Sequence, residues 1–114
     1  MEKLLNAFKV LSDETRIRIL VMLYHKKLCV CELCGVLEES QPKISKHLAK
    51  LRDMGYVIDE RHEQFIYYCL NRDNKVIKTI LKDIVTNIED YPTLIKDIEK
   101  LETAEKFIET CKTK

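Results

Sequence analysis

Apolar residues recur every three or four positions along most of the chain, which predicts a mainly helical fold. The first such stretch contains Leu4, Leu5, Phe8 and Leu11. A second stretch reaches about Tyr24 and is apolar on more than one side, so we expect it to be buried on most sides. Ser12 has the side chain of a helix N-cap, with Asp13 and Glu14 after it in the first turn. The sequence therefore predicts two helices that meet near Ser12.

The middle of the chain predicts a short helix, a tight turn and a second helix. Residues 29–37 form the cysteine-bearing first helix, and Ser40 is a suitable N-cap for the second. Pro42 falls in the first turn of this second helix, and Gly55 is a typical residue just beyond a helix end. The apolar side of the helix carries Ile44, Leu48 and Leu51, and another side carries Lys43, Lys46, His47 and Lys50.

A β-hairpin is predicted next. Residues 56–61 and 65–70 are rich in β-branched and aromatic side chains and flank a polar tip at residues 62–64. No other segment has a strand pattern, so the predicted fold is mainly α with a small β-hairpin.

The helical spacing returns beyond Asn71, is interrupted at Tyr91 and Pro92, and continues to Ile108. With 114 residues the chain fits a single core, and two glycines and two prolines are too few for a turn-rich sheet fold. We expect a DNA-binding domain over residues 1–90. A C-terminal helical extension over residues 91–114 is expected to form part of a dimer interface.

A helix, a turn, a second helix and a hairpin in that order describe a winged helix-turn-helix, whose second helix lies in the DNA major groove. The net charge is only +1, but residues 42–52 contain four basic residues and no acid. Lysines neutralise phosphates, and short polar side chains reach base edges. Candidate DNA contacts are Gln41, Lys43, Ser45, Lys46, His47 and Lys50 on the helix, and Arg61, His62 and Gln64 on the wing. For the helix alone a solvated lysine face is an alternative, but the order of elements favours DNA binding.

The segment C-V-C-E-L-C carries Cys29, Cys31 and Cys34. At about 100° per residue Cys31 and Cys34 share a helical face, and Cys29 joins them only if it lies at or before the first turn. Three soft thiolates without an obvious fourth ligand favour a three-coordinate ion such as As(III) or Sb(III) over tetrahedral zinc. A helix N-terminus is also expected to lower the pKa of the thiols. His25 could be a fourth ligand for zinc or cadmium, although a polar cap at the end of the second helix is the simpler interpretation.

Other interpretations of the cysteines differ in class. Cys69 and Cys111 have no neighbouring ligand in sequence and are expected to be small hydrophobic residues. A redox switch in place of metal binding stays open, whereas a thioredoxin-type C-x-x-C needs a βαβ context that is missing. We expect no enzyme, since no nucleotide loop, phosphate cradle or general base near a cysteine is visible. The absence of a long apolar run and of a signal peptide predicts a cytoplasmic protein with reduced thiols and no membrane partner.

Three motifs carry a family resemblance: L-S-D-E-T-R-I-R-I-L (11–20), L-C-V-C-E-L-C (28–34) and S-Q-P-K-I-S-K-H-L-A-K-L-R (40–52). They resemble the ArsR/SmtB metal-responsive repressors, within a match that covers roughly the first 70 residues. The resemblance implies a homodimeric winged-helix repressor that releases its operator when As(III) or Sb(III) binds. It also implies that Cys29, Cys31 and Cys34 are the metal ligands and that residues 41–54 form the recognition helix.

Departures from the family pattern narrow the choice of inducer. Zinc sensors of the family use ligands on the C-terminal helix, but all three histidines here precede it. Cadmium and lead sensors share the Cys-Val-Cys pair and add cysteines from an N-terminal extension that this chain lacks. A redox-sensing or Cd/Zn/Pb-sensing winged-helix repressor remains the alternative. Glu63 stands at the wing tip where close relatives have glycine, so we expect a different hairpin turn, and an acid so near DNA is an argument against wing contacts.

The apolar stripes of the first and C-terminal helices exceed what one small domain can cover, which predicts a homodimer. Two recognition helices would then lie about one DNA turn apart. The expected partner is double-stranded operator DNA with an imperfect palindrome.

Overall fold

The computed structural model describes residues 1–108, and it confirms a mainly α fold with a small antiparallel sheet. The elements in this part of the chain are α1 (Glu2–Leu11), α2 (Glu14–His25), β1 (Leu28–Cys29), α3 (Val30–Leu37), α4 (Gln41–Asp53), β2 (Val57–His62), β3 (Phe65–Leu70), α5 (Lys75–Thr86), a 3-10 turn (Ile88–Asp90) and α6 (Pro92–Leu101). Helices α3 and α4 form the helix-turn-helix, and β2 and β3 form the wing. No helix within residues 1–108 is long and apolar enough to cross a membrane.

The junction of α1 and α2 differs by one residue from the prediction. Asp13, not Ser12, caps α2, because its carboxylate accepts a hydrogen bond of 3.0 Å from the Arg16 backbone N–H. Ser12 instead ends α1, where its hydroxyl donates to the Lys9 carbonyl at 2.7 Å. Ser12 keeps helical backbone angles (φ −81°, ψ 0°), whereas an N-cap residue is extended, as Asp13 is.

The core lies where α2 passes between the helix-turn-helix and the C-terminal helices. The five consecutive residues 19–23 of α2 are all buried, which confirms that this helix is enclosed on most sides. The apolar side of α4 is also buried, with Ile44, Leu48 and Leu51 fully inaccessible. The packing of this side turns the basic side of α4 to solvent.

The sheet contains one strand that the sequence pattern does not show. β1 pairs with β3 on the side opposite β2, so the order is β1-β3-β2 and all pairs are antiparallel. Cys29 lies opposite Tyr67, and Val57 lies opposite Leu70. Two residues are too few for an alternating pattern, which is why β1 escaped prediction. Through β1 the cysteine segment is joined to the wing by the backbone hydrogen bonds of the sheet.

Three described residues use the left-handed backbone region: Glu38 at the end of α3, Gly55 and Glu63. Gly55 ends α4 with φ +82°, as expected of a residue beyond a helix end. Glu63 at the wing tip has φ +57°, a conformation that favours glycine. Glutamate at this position therefore adopts the left-handed backbone conformation that a glycine would adopt there. The side chain of the turn differs from that of glycine.

The C-terminal part of the described chain contains a break and a second helix, as predicted. Pro92 is the first residue of α6, but α6 ends at Leu101 and residues 102–105 form turns, so the helix is shorter than expected. Leu94, Leu101 and Ala104 are buried, and α6 packs on α2 and α3. The predicted role of Cys111 lies outside the described residues.

Candidate functional site

The cysteine segment has the backbone geometry that convergence of its thiols requires. Cys29 is the N-cap of α3 and is extended (φ −91°, ψ 170°), so it lies before the first turn and outside the helix. Cys31 and Cys34 follow inside α3, and both are half-buried. The strand–helix junction therefore places Cys29 at the start of α3, and Cys31 and Cys34 in its first two turns.

Glu32 holds this junction and was missed in the sequence. Its carboxylate accepts a hydrogen bond of 3.1 Å from the Cys29 backbone N–H, and the Cys29 sulfur accepts from the Glu32 backbone N–H. The pair forms a capping box with cysteine in the place of serine or threonine. Both side chains are buried, at 1% and 3% exposure. The spacing C-x-x-E was a usable signal, because it matches that of the S/T-x-x-E box.

The Cys29 thiol is not acidified by its position at the helix start. Burial raises the pKa of Cys29, the hydrogen bond from the Glu32 N–H opposes this, and the negative charge of Glu32 adds to it. The expectation of a lowered thiol pKa is therefore wrong for Cys29, because desolvation outweighs the helix terminus. Cys29 is a buried thiol that must lose its proton when an ion binds.

The structure does not show a preformed metal centre in the part of the chain it describes. Within residues 1–108 no three His, Cys, Asp or Glu side chains lie close enough together to hold an ion. Cys31 is disulfide-bonded in the structure, so ion binding through it requires reduction. His25 ends α2 beside Leu101 and Ile98, and burial lowers its pKa. The three-cysteine site stays a prediction.

The polar side of α4 forms an accessible surface. Ser40 caps the helix by accepting a hydrogen bond of 3.4 Å from the Lys43 backbone N–H. The predicted contacts on α4 are exposed at Gln41, Lys43, Lys46 and Lys50 and half-buried at Ser45 and His47. Lys43 forms an ion pair of 3.1 Å with Glu39. Among the described residues Lys46 and Lys50 have no ion-pair partner, so their charges are available to a phosphate.

His47 differs from the lysines because it is partly enclosed. Burial is the largest cause of its lowered pKa; Arg16, Lys43 and Lys46 lower it further, and Asp13 opposes them. The lowered pKa favours the neutral imidazole of His47, which offers one donor and one acceptor nitrogen. Its chemistry suits a base edge better than a phosphate.

The wing exposes Arg61, His62 and Gln64, as predicted. His62 Nε2 lies 2.9 Å from a carboxylate oxygen of Glu60, and Lys27 Nζ lies 3.4 Å from the other oxygen. Glu60 therefore places a negative charge on the wing itself, beside Lys27 and His62. Glu63 at the tip was visible as an acid in the sequence, whereas the contact between Glu60 and His62 was not predicted.

Comparison with known proteins identifies the family. Residues 13–59 match the family model described as bacterial regulatory protein, arsR family. The chain is 52% identical over 67 residues to the arsenic resistance transcriptional regulator ArsR2 of Pseudomonas putida, covering 58% of each chain. It is 45% identical over 86 residues to ArsR1 of the same organism, covering 74% of this chain and 67% of the relative. The chain belongs to the arsR family of bacterial regulatory proteins.

Structural comparison agrees with the family assignment. The crystal structure of the AntR antimony-specific transcriptional repressor matches with a TM-score of 0.68 at 26% identity, covering 78% of this chain and 79% of that one. The resemblance to ArsR/SmtB proteins and the winged helix-turn-helix fold are both confirmed. The match to ArsR2 spans little more than half the length of that relative.

The family match covers the cysteine segment and the helix-turn-helix but not the outer helices. It begins at the N-cap of α2 and ends in β2, so α1, α5 and α6 lie outside it. Helix α1 presents a patch of exposed apolar side chains at Leu4, Leu5 and Phe8, with 40%, 52% and 57% exposure. We call these three residues the α1 patch. The α1 patch confirms that the apolar stripe of α1 is not fully covered by the rest of its own chain. The apolar side of α6 differs, because Leu94 and Leu101 are buried within the same chain.

Proposed function

We propose that the chain is a DNA-binding transcriptional repressor that releases its operator when As(III) or Sb(III) binds to Cys29, Cys31 and Cys34. One observation carries the proposal: the cysteines lie at the start of α3, and α3 packs directly on the helix that would read the major groove. The names of the arsenic-resistance relatives and of the antimony-specific repressor support the choice of ion. Such a repressor acts on double-stranded DNA in the cytoplasm and needs no enzymatic activity.

The proposed DNA contacts divide by chemistry. Phosphates are neutralised by Lys46 and Lys50, which supply affinity for any DNA sequence. Lys43 can do the same once its ion pair with Glu39 is broken. Base edges are the targets of Gln41, Ser45 and His47, which have short or forked hydrogen-bonding groups. Arg61, His62 and Gln64 would contact the DNA backbone or the minor groove beside the wing.

The inducer chemistry follows from the donor set. Three thiolates suit a soft three-coordinate ion, and the extended backbone of Cys29 leaves it outside the helix that carries the other two. The thiols are not gathered into a site within the described residues, so to become a ligand the Cys29 sulfur would have to move away from the Glu32 N–H from which it now accepts a hydrogen bond. Ion binding would therefore weaken the capping box that fixes the start of α3.

Loss of that capping box would affect the DNA-binding surface through two sets of contacts. Helix α3 packs on α4, so a displaced α3 would reorient the recognition helix. β1 ends at Cys29 and is paired with β3, so the same event would disturb the base of the wing. We propose that both changes contribute to operator release.

The proposal includes a homodimer, in which the α1 patch of one copy packs against its counterpart. The exposed Val76 at the start of α5, 40% accessible, would extend this surface. Participation of residues 91–114 in the dimer stays a prediction. A two-fold dimer on DNA requires an imperfect palindrome as the operator.

The test is operator binding measured by fluorescence anisotropy in reducing buffer, with a duplex selected from a random library by the wild-type chain. Titration with arsenite should release the duplex, whereas zinc and cadmium at the same concentrations should not. Release by zinc or cadmium alone would favour the Cd/Zn/Pb-sensing alternative. Failure of the chain to select any sequence would contradict the repressor function itself.

A redox switch is the second candidate, and the disulfide bond of Cys31 favours it. In this case a peroxide-class oxidant removes two electrons and two protons from two thiols as the disulfide forms. Release of the duplex by peroxide, with no response to arsenite under full reduction, would support this candidate over metalloid binding.

Lys46→Ala should weaken binding to every duplex several-fold and reduce the slope of log K against log salt by about 1, because one phosphate contact is lost. The measurement is a salt series by anisotropy with the selected duplex and with a scrambled one. Lys96→Ala, which removes an exposed lysine from α6, is the matched control and should leave the slope unchanged. An unaltered slope in Lys46→Ala would exclude Lys46 from the phosphate contacts.

A further inference from the structure

A buried ion pair fastens α6 to α2. Arg18 Nε donates to one carboxylate oxygen of Asp97 at 2.9 Å, and Arg18 Nη2 donates to the other oxygen at 2.9 Å. The Asp97 side chain is 2% exposed and that of Arg18 17% exposed. Two parallel hydrogen bonds from a guanidinium define the orientation of both groups as well as their distance. The position of α6 on α2 is therefore set by a specific contact in addition to apolar packing.

The same guanidinium also reaches the end of the cysteine helix. Arg18 Nη2 donates a hydrogen bond of 3.2 Å to the carbonyl of Leu37, the last residue of α3. Carbonyls in the last turn of a helix have no partner within the helix, so this bond satisfies a group that would otherwise need water. One side chain thus joins α2, the end of α3 and α6.

The C-terminal segment touches α3 at two further points. Lys100 of α6 lies 3.5 Å from the carboxylate of Glu38, the residue that ends α3 in a left-handed conformation (φ +55°). The ring of Phe107 packs against Gly35 and occupies the space that a side chain at position 35 would need. The contacts at Gly35, Leu37 and Glu38 lie at the end of α3, directly after Cys34 and away from Cys29 at its start.

The end of α3 controls the start of the recognition helix. Only residues 38–40 separate α3 from α4, and α4 also packs along α3. A shift in the end of α3 is therefore passed to α4. Lysine contacts with phosphates tolerate such a shift better, because the side chain is long and flexible, whereas hydrogen bonds to base edges depend on exact direction and distance.

We infer that Arg18 and Asp97 are positioning residues for sequence-specific DNA binding, because they hold the end of α3 at the place where α4 presents its side chains to base edges. This inference rests on the proposed DNA-binding function. It assigns to α6 a role in operator recognition without any contact between α6 and DNA. Asp97 lies outside residues 13–59, which match the family model, whereas Arg18 lies within them.

The test compares Asp97→Asn with Glu99→Gln, which removes the same charge from an exposed position of the same helix. The probes are a duplex selected from a random library by the wild-type chain and a scrambled duplex of equal composition. Asp97→Asn should bind the selected duplex about 5–150-fold more weakly than the wild type, which is the range expected for the loss of one specific base contact. Its affinity for the scrambled duplex should be unchanged. Glu99→Gln should match the wild type on both duplexes.

A second variant separates positioning from folding. In Arg18→Met/Asp97→Leu the pair is replaced by apolar side chains, an exchange that buried ion pairs often tolerate without loss of stability. We expect this double variant to melt cooperatively, to lose the hydrogen bond to Leu37 and to show the same loss of sequence preference. Amide hydrogen exchange in residues 30–37 should be faster than in the wild type.

The outcomes are distinguishable. A wild-type chain that selects no sequence contradicts the DNA-binding function on which the inference rests. A wild-type chain that selects a sequence, together with an Asp97→Asn variant of unchanged preference, contradicts the positioning role alone. Equal losses on the selected and scrambled duplexes would also overturn it, since they would indicate general damage to the domain.

Discussion

Replacing Cys31 by serine should leave operator binding intact and abolish operator release by arsenite. Serine has nearly the size of cysteine, and Cys31 lies inside α3 away from the DNA-facing side of α4, so the DNA surface should be preserved. A serine hydroxyl is a poor ligand for a soft ion, so the three-thiolate site would lose one of its donors. Effectors of this kind typically change DNA affinity by about 5–150-fold. For Cys31→Ser the operator dissociation constants with and without arsenite should have a ratio near 1.

The measurement is the operator dissociation constant with and without arsenite, in a buffer that keeps every thiol reduced. Cys69→Ser is the matched control, because Cys69 lies in β3 and was assigned no ligand role; it should respond as the wild type does. Cys34→Ser in the same assay decides whether the third thiol is essential. Release of the duplex from Cys31→Ser at the wild-type arsenite concentration would reject the thiolate site.

Phe8→Glu should convert the proposed dimer to a monomer and lower operator affinity by about 10²–10⁴-fold, the gain that linking two binding modules provides. Phe8 is 57% exposed in the single chain and is the most exposed member of the α1 patch. A charge at this position would be desolvated without a partner if two patches met. The fold of the single chain should survive, because the side chain does not contribute to its core.

Sedimentation velocity and anisotropy on one preparation would check both parts of this prediction. Lys9→Glu places the same acid on α1 at an exposed position outside the patch and should stay dimeric. A Phe8→Glu variant that remains dimeric and keeps full operator affinity would show that the two copies associate through another surface.

Much of the fold could be predicted from spacing because its signals are local. The apolar sides of α2 and α4, the Ser40 cap, Gly55 and the break before Pro92 each depend on residues within one or two helical turns. The N-cap of α2 was misplaced by one residue, since Ser12 and Asp13 are both good caps and the backbone decides between them. Strand β1 could not be found, because its only evidence is its pairing with β3.

The candidate site divides in the same way. Three cysteines before a helix with a lysine side were visible in the sequence, and so was the capping-box spacing of Cys29 and Glu32, although it was not used. The direction of the Cys29 pKa was predicted wrongly, because the helix terminus is a local feature whereas the burial that raises the pKa comes from distant residues.

The sequence by itself determined the winged helix-turn-helix, the position of the thiols ahead of the recognition helix and the family. Only the tertiary structure decided that Cys29 is buried and paired to the wing strand, and that Arg18 meets Asp97 at a separation of 79 residues. Periodicity and motifs record interactions between near neighbours in the chain. A contact between α2, the end of α3 and α6 depends on how whole helices pack, and no pattern of adjacent residues encodes it.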